Sequence, residues 1–549
     1  MADETSKRER QNAPVAHDAS EHTASEITTS EYTGSESATS EDTASEPKLD
    51  APKGAPDPAE KARVKPIPVA IGLVLFAIVL ILPAPEGMSP EAWHLLAAAV
   101  LMIAWWITEA IPVAATALLP VALFPLVGAT TAREAASPYG DPIIFLFMGG
   151  FFLAMAMERW NLHRRIALNI VSRTGSQQHR IVGGFMIATA FCGLWVSNTA
   201  TAVMMLPVAL SVAALISAKG GSSQFPLALM LSVAYAASIG GIGTLIGTPP
   251  NALLAGALSR TYGYDIGFAQ WMLFGIPIML VMLFGAWLLL TRVSIRLDRS
   301  TIEGADELFA SQLKDLGTWS KAERRVAMVF VVTASLWIFR TVLQDYIPGL
   351  SDASIAILAA IALFIIPSGE KDGGGLVNWP MTKNLPWGIL VLFGGGLSLS
   401  AGVVATGLDV WIGDLLGTYA SALPTFGIVV LVALAVLIMT EFMSNTATAA
   451  TFIPIVSGLA MSLGENPLLL MVPATLAASM TFMLPVATPP NALVFSSGYI
   501  TIPQMAKHGF LMNILSLVVI TGMGYWLLVT FFGVVAGEFP EWAVRAMAN

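Results

Sequence analysis

Two short polar sequences each occur twice in this 549-residue chain. Ser-Asn-Thr-Ala-Thr-Ala stands at 197–202 and again at 444–449, each with a proline ten residues after its serine, Pro207 and Pro454. Thr-Pro-Pro-Asn-Ala-Leu stands at 248–253 and again at 488–493. Their hydroxyls and amides can donate to an anion or offer oxygen to a cation. Thr-Pro-Pro breaks a helix, because proline donates no amide and disfavours helical backbone in the residue before it. Carbonyls freed at Gly247 and Ala487 can coordinate a cation, and amides opening the next helix can hold an anion. Oxygen-only ligands suit a hard cation such as Na⁺. None of the four motifs contains Arg, Lys, Asp or Glu. A buried anion there lacks compensating charge, and a Na⁺ beside each motif would supply it.

The surrounding sequence says what must position these residues. The chain is 55% hydrophobic and 12% charged, with a mean hydropathy of +0.71. Soluble domains carry about 25% charged residues, so an all-α polytopic membrane protein is expected. Spans are expected near 66–83, 91–108, 111–128, 142–158, 227–258, 271–291, 326–347, 351–367, 386–406, 468–497 and 511–535. Apolar stretches at 182–216 and 424–463 are interrupted by Ser197-Asn198-Thr199 and Ser444-Asn445-Thr446. Irregular backbone at membrane depth must be buried in protein or line a wet cavity. A bland alternative exists for each motif: Ser, Asn and Thr bond helix to helix, and Pro-Pro kinks. Duplication of both motifs in the same order favours a shared midplane site. The loose match of Phe147-Met148-Gly149-Gly150 to Leu392-Phe393-Gly394-Gly395 supports an internal duplication, repeat 1 at 62–291 and repeat 2 at 326–549.

Basic loops stay in the cytoplasm. Lys61, Arg63 and Lys65 place the N-terminus inside, and four spans return the chain to a loop holding Arg159, Arg164, Arg165, Arg173 and Arg180. The linker 292–325 carries seven basic residues and is cytoplasmic only if 182–216 dips in and returns. Three more spans leave 407–423 outside, so 424–463 enters from outside. The expectation is inverted repeats, each with one re-entrant hairpin.

Residues 1–61 form an acidic tail in which Ser-Glu recurs every five residues from 20 to 45. With three Leu, Ile, Val or Phe in its first sixty residues, it cannot bury enough apolar surface to order, and disorder is expected. It reads as a modified or partner-binding arm, or as a solvated spacer. The tail supplies most of the net charge of −9 and gives no expectation of a nucleic-acid partner.

Other chemistries lack their residues. The single cysteine, Cys192, excludes an internal disulfide or a Cys-based metal site. HExxH, GxSxG and the phosphate-binding GxxxxGK[ST] are absent, and no soluble segment is long enough for an ATPase domain. An intramembrane hydrolase needs paired Asp, Ser/His or a zinc motif in the spans, and none is evident. A channel favours a symmetric oligomeric pore rather than repeats within one chain. Among intramembrane charges, Glu441 is open between a hairpin-to-scaffold bond and a gating role. Glu109 reads as interfacial, and Arg340 reads as lying inside a span. Trp105-Trp106 and the Gly-rich stretches 240–243 and 394–396 read as packing or interface features.

The paired Ser-Asn-Thr and Thr-Pro-Pro-Asn motifs, with flanking Trp195-Val196 and Ile239-Gly240-Gly241, resemble the divalent anion:sodium symporter family over about residues 66–540. That family contains Na⁺-coupled di- and tricarboxylate and sulfate transporters. The resemblance implies eleven spans plus two re-entrant hairpins, a homodimer in the plasma (inner) membrane, and a transport domain moving as an elevator against a scaffold. It implies a first Na⁺ site at Ser197, Asn198 and Gly247 and a second at Thr440, Asn445 and Ala487. It implies that substrate carboxylates sit on Asn198, Thr199, Thr248, Asn445, Thr446 and Thr488, with Ser197 and Ser444 in the same set. Similar sodium-coupled members often carry a serine where this chain has Gly193. Two near-identical clamps suit a linear dicarboxylate such as succinate, malate or fumarate; sulfate or tricarboxylate transport and sodium-independent exchange are the alternatives.

Overall fold

The computed structural model describes residues 65–218, 224–370, 373–420 and 423–548. The acidic arm expected to be disordered, 1–61, lies outside them. The described residues form an all-α membrane protein, with two isolated bridges (Gln177 with Thr301, Pro367 with Gly375) and no strands. Seven of its helices are long and apolar enough to cross a bilayer by length and composition. Helix Pro66–Ile81 buries only Gly72, and Ile67, Ile71, Val74 and Ile78 are exposed along it. Such an unbroken apolar face fits hydrocarbon rather than water.

The two halves run through the same series of elements. A Gly-rich span comes first, Pro142–Arg159 in one half and Trp387–Thr406 in the other. A short connecting helix follows, Leu162–Val171 or Leu408–Ala420. Next come two helices flanking Ser-Asn-Thr: Gln178–Gly193 with Asn198–Ala218, and Thr425–Thr440 with Asn445–Ser462. Two more flank Thr-Pro-Pro: Gln224–Gly241 with Pro249–Tyr262, and Pro467–Ala478 with Pro489–Ser496. A long helical segment beginning at Phe268 or Ile502 closes each half.

Local chemistry sets the ends. Ser89 caps helix Pro90–Thr108 by accepting from Ala92 N at 3.1 Å, and Asp141 caps Pro142–Arg159 by accepting from Ile143 N at 3.0 Å. The glycine pairs permit close helix contact. A Cβ at Gly149 would lie 2.5 Å from the Ala356 backbone, and one at Gly395 would lie 2.4 Å from Ala117 O.

Three sequence expectations change. The segment 111–128 is two short helices, Val113–Thr116 and Leu119–Leu126, because Pro112 and Pro120 interrupt the amide ladder. The span expected at 326–347 is helix Lys321–Ile338: Ser320 and Glu323 form a capping box that starts it earlier, and it stops at Phe339. Arg340 therefore lies beyond that span, where it pairs with Asp352 at 3.2 Å.

Candidate functional site

Each half packs its broken helices on those of the other. Helix Pro489–Ser496 of the second half packs against Gln224–Gly241 and Asn198–Ala218 of the first. Helix Pro249–Tyr262 of the first packs against Asn445–Ser462 and Pro467–Ala478 of the second. Tyr235 and Phe482 meet edge to face across this seam, ring centroids 5.0 Å apart. Four helix N-termini, opening at Asn198, Pro249, Asn445 and Pro489, are carried by these packed helices. Their unpaired amides and dipoles favour negative charge.

Both breaks before Pro-Pro have one conformation. Thr248 is extended at φ −145°, ψ 141°, and Thr488 at φ −142°, ψ 150°, as a residue preceding proline must be. Both threonines are buried. Thr488 Oγ1 accepts from Asn491 N at 3.4 Å.

In the first half the structure brings Asn198, Gly247 and Thr248 together around Gly241. A Cβ at Gly241 would lie 2.8 Å from Asn198 Oδ1, 3.1 Å from Gly247 O and 3.1 Å from Thr248 Cβ. A Cβ at Gly247 would lie 2.5 Å from Gly241 O and 2.9 Å from Gly193 O. Asn198 Oδ1 is buried with no hydrogen-bond partner. Ser197 Oγ is engaged elsewhere, accepting from Ala200 N at 3.3 Å as a helix cap. Thr199 is exposed. An unpartnered amide oxygen beside carbonyl oxygens is a donor set that fits Na⁺.

In the second half the structure brings Asn445 and Thr440 together. Asn445 Oδ1 accepts from Thr481 Oγ1 at 3.0 Å and lies 3.3 Å from Thr440 Oγ1, which also reaches Ala478 O at 2.7 Å. These oxygens too can hold a hard cation. Among the described residues no hydrogen bond ties Ala487 to Asn445; its N–H is turned to Leu484 O at 3.3 Å. Ser444 is half-buried and Thr446 buried at the start of the helix.

Further residues emerge that the sequence reading left unassigned: Gly241, Thr244, Asn251, Thr481, Asn491 and Asn513. For all but Asn513, which lies in helix Ile502–Val518, the signal was polarity, or glycine, inside the broken stretches. Thr244 Oγ1 donates to Leu194 O at 2.5 Å and accepts from Gly247 N at 3.1 Å, so the unwound loop is tied to the first hairpin. Glu441 makes the matching tie from the opposite side. Its carboxylate accepts from Phe482 N at 3.0 Å, Met483 N at 3.1 Å and Asn513 Nδ2 at 2.8 Å. The bond joins the hairpin to the second unwound loop and to helix Ile502–Val518, rather than being the hairpin-to-scaffold bond expected for Glu441.

Discontinuous helices from two repeated halves, meeting at a polar site inside an apolar bundle, define a membrane transporter. Residues 64–532 match the family model for the sodium:sulfate symporter transmembrane region, and the chain belongs to that family. It is 42% identical over 475 residues to a sodium-dependent dicarboxylate transporter, SdcS, of Staphylococcus saprophyticus, covering 84% of this chain and 91% of the relative. It is 42% identical over 479 residues to the protein of that name in Staphylococcus aureus USA300, covering 85% and 92% respectively. In fold it is similar to the Alcanivorax borkumensis YdaH transporter, with a TM-score of 0.54 at 14% identity, over 82% of this chain and all of that one. The Neisseria gonorrhoeae MtrF structure aligns with a TM-score of 0.50 at 11% identity, over 83% of this chain and 94% of that one.

Proposed function

We propose that the protein imports a C4 dicarboxylate of the succinate, malate or fumarate type together with Na⁺. The observation that carries this reading is the paired site itself. Two Ser-Asn-Thr and two Thr-Pro-Pro-Asn motifs, one of each per half, offer helix N-termini and amides to the two ends of a linear dianion. They bring no cationic side chain, so co-bound Na⁺ supplies the positive charge. The relatives named as sodium-dependent dicarboxylate transporters support the same reading. The substrate carboxylates lie at Ser197, Asn198, Thr199 and Thr248 in one half and at Ser444, Asn445, Thr446 and Thr488 in the other. The Na⁺ ions lie at Ser197, Asn198 and Gly247, and at Thr440, Asn445 and Ala487.

Movement is an elevator of the hairpin-bearing unit against a dimeric scaffold in the inner membrane, with the N-terminus cytoplasmic. An asymmetry supports this. Helix Asn445–Ser462 packs chiefly on Leu408–Ala420 and Pro467–Ala478 and also reaches the spans Trp387–Thr406 and Pro90–Thr108, whereas its counterpart Asn198–Ala218 packs chiefly on Gln224–Gly241, Pro489–Ser496 and Gln178–Gly193. The helix after the second Ser-Asn-Thr is seated on the scaffold, which suits a site open to the cytoplasm.

The test is labelled-succinate uptake into proteoliposomes with and without a Na⁺ gradient. Concentrative uptake should require Na⁺ and disappear when choline replaces it. Undiminished uptake in choline would leave exchange as the function.

A further inference from the structure

The two cation positions are built from different materials, although the halves repeat the same motifs in the same order. Gly241 and Thr481 are matched by structure: each carbonyl accepts from the asparagine ten residues on, Asn251 at 3.2 Å and Asn491 at 3.3 Å. Gly193 and Thr440 are matched by spacing, each five residues before the triad asparagine. At both places the first half has glycine and the second has threonine.

The consequence falls on the asparagine oxygens. Asn198 Oδ1 is buried and unpartnered, close to Gly241 and to the Gly247 carbonyl. The Gly193 and Gly241 carbonyls close on Gly247 from the other side, near enough that a Cβ there would lie 2.9 and 2.5 Å from them. Threonine cannot replace Gly241 without displacing Asn198, since its Cβ would come within 2.8 Å of Oδ1. The group that gathers around Gly247 is therefore rich in backbone acceptors, held by the chain itself, and Asn198 Oδ1 has no hydroxyl to accept from. Asn445 Oδ1, in contrast, accepts from Thr481 Oγ1 at 3.0 Å. The single hydroxyl proton of Thr440 goes to its nearer acceptor, Ala478 O at 2.7 Å. Thr481 thus occupies one lone pair of Asn445 Oδ1, and a cation that takes that lone pair must displace the hydroxyl.

We propose that Na⁺ fills the two positions in a fixed order, the Asn198 position first and the Asn445 position second, and that Thr481 sets the weaker affinity of the second. The proposal rests on the sodium-coupled reading above. Preorganised acceptors bind without breaking an existing bond, whereas the second position gives up one neutral hydrogen bond. The glycines at 193 and 241 thus make the first position the tighter one.

The experiment is Na⁺ binding to the purified full-length protein without substrate, followed by calorimetry. Wild type should show two steps. Thr481→Val keeps the side-chain shape and removes the hydroxyl; it should move only the weaker step, to roughly fivefold lower Na⁺, the equilibrium weight of one neutral hydrogen bond. Thr481→Ser should restore the wild-type position. Gly247→Ala, which puts a methyl among the carbonyls, should remove the tighter step; an unfolded Gly247→Ala leaves Thr481→Val to decide. A weaker step that stays put or moves to higher Na⁺ in Thr481→Val overturns the proposal, and the second outcome would make Thr481 a ligand. Wild-type protein that binds no Na⁺ at all overturns the coupled reading itself, a result separate from any shift between variants.

Discussion

Asn251 and Asn491 hold the two unwound segments by the same pair of hydrogen bonds. Asn251 Nδ2 donates to Gly241 O at 3.2 Å and Thr244 O at 2.8 Å; Asn491 Nδ2 donates to Thr481 O at 3.3 Å and Leu484 O at 3.1 Å. The spans are ten and seven residues in both halves. Each asparagine therefore staples the carbonyls that the Thr-Pro-Pro break frees from the helix.

Asn251→Ala should leave two buried carbonyls unpaired, and Asn491→Ala one, because Leu484 O also accepts from Ala487 N at 3.3 Å. The expected loss is about 1–3 kcal/mol of stability per unpaired carbonyl, read as a lower melting temperature of the purified protein. Transport at matched folded protein should fall with it, because the carbonyls proposed to hold Na⁺ lie on the same loops. An unchanged melting temperature in both variants would show that water satisfies these carbonyls.

The breaks at the polar motifs and most spans were legible because they rest on local rules: apolar run length and proline breaks. The role of Asn251 and Asn491 was not, since nothing in Thr-Pro-Pro-Asn says how far back an amide reaches. Arg340 was misplaced because its neighbours are apolar and helix-compatible, whereas the turn at Phe339 and the Asp352 partner come from tertiary structure. The Glu441 alternatives needed coordinates too. Phe482 and Met483 sit more than forty residues away in sequence and offer backbone amides, which carry no sequence signature.

Glu441 should tolerate loss of charge poorly. Its carboxylate accepts from two backbone N–H groups and Asn513, and Glu441→Gln replaces one acceptor oxygen with a donor facing donors. The hairpin and loop it joins carry Asn445, Thr481 and Thr488. The variant should insert normally yet need several-fold more Na⁺ for half-maximal uptake. Wild-type Na⁺ dependence would show that the tie does not position the site.

Asp409 gives the protein a pH-dependent stability. It is buried in the connecting helix Leu408–Ala420 with Oδ1 unpartnered. Burial pushes its carboxyl from 3.8 up to about 6, against the pull of the Asp409 and Val410 amides. A carboxyl whose folded value is raised binds its proton more tightly when folded. Its contribution is therefore full below the unfolded value and lost as pH rises through about 6. The melting temperature should fall between pH 5 and about 7, and Asp409→Asn should flatten that slope. A parallel slope in wild type and variant would assign it to another group.

The last prediction concerns a contact between the parts proposed to move and to stay. Arg260, in helix Pro249–Tyr262, pairs with Asp141 Oδ2 at 2.7 Å and reaches Ser137 O at 3.3 Å. Asp141 also caps the span Pro142–Arg159 through Oδ1. Asp141→Asn keeps a capping oxygen and removes the charge, so the span should survive while the pair weakens. An ion pair of this kind is worth about 1 kcal/mol, which is roughly a fivefold shift in a two-conformation equilibrium. Because the pair exists in this arrangement, the one proposed to open to the cytoplasm, its loss should disfavour that arrangement. Val486 is exposed beside the second break, so Val486→Cys in a Cys192→Ser background reports access to the site. Adding Asp141→Asn should slow labelling by an impermeant maleimide from the cytoplasmic face and speed it from outside. Restoring opposite charges by Asp141→Arg with Arg260→Asp should return part of the difference, although arginine cannot supply the cap. Equal labelling from both faces with and without Asp141 would remove this pair from the conformational balance and leave the helix packing around Asn445–Ser462 to set it.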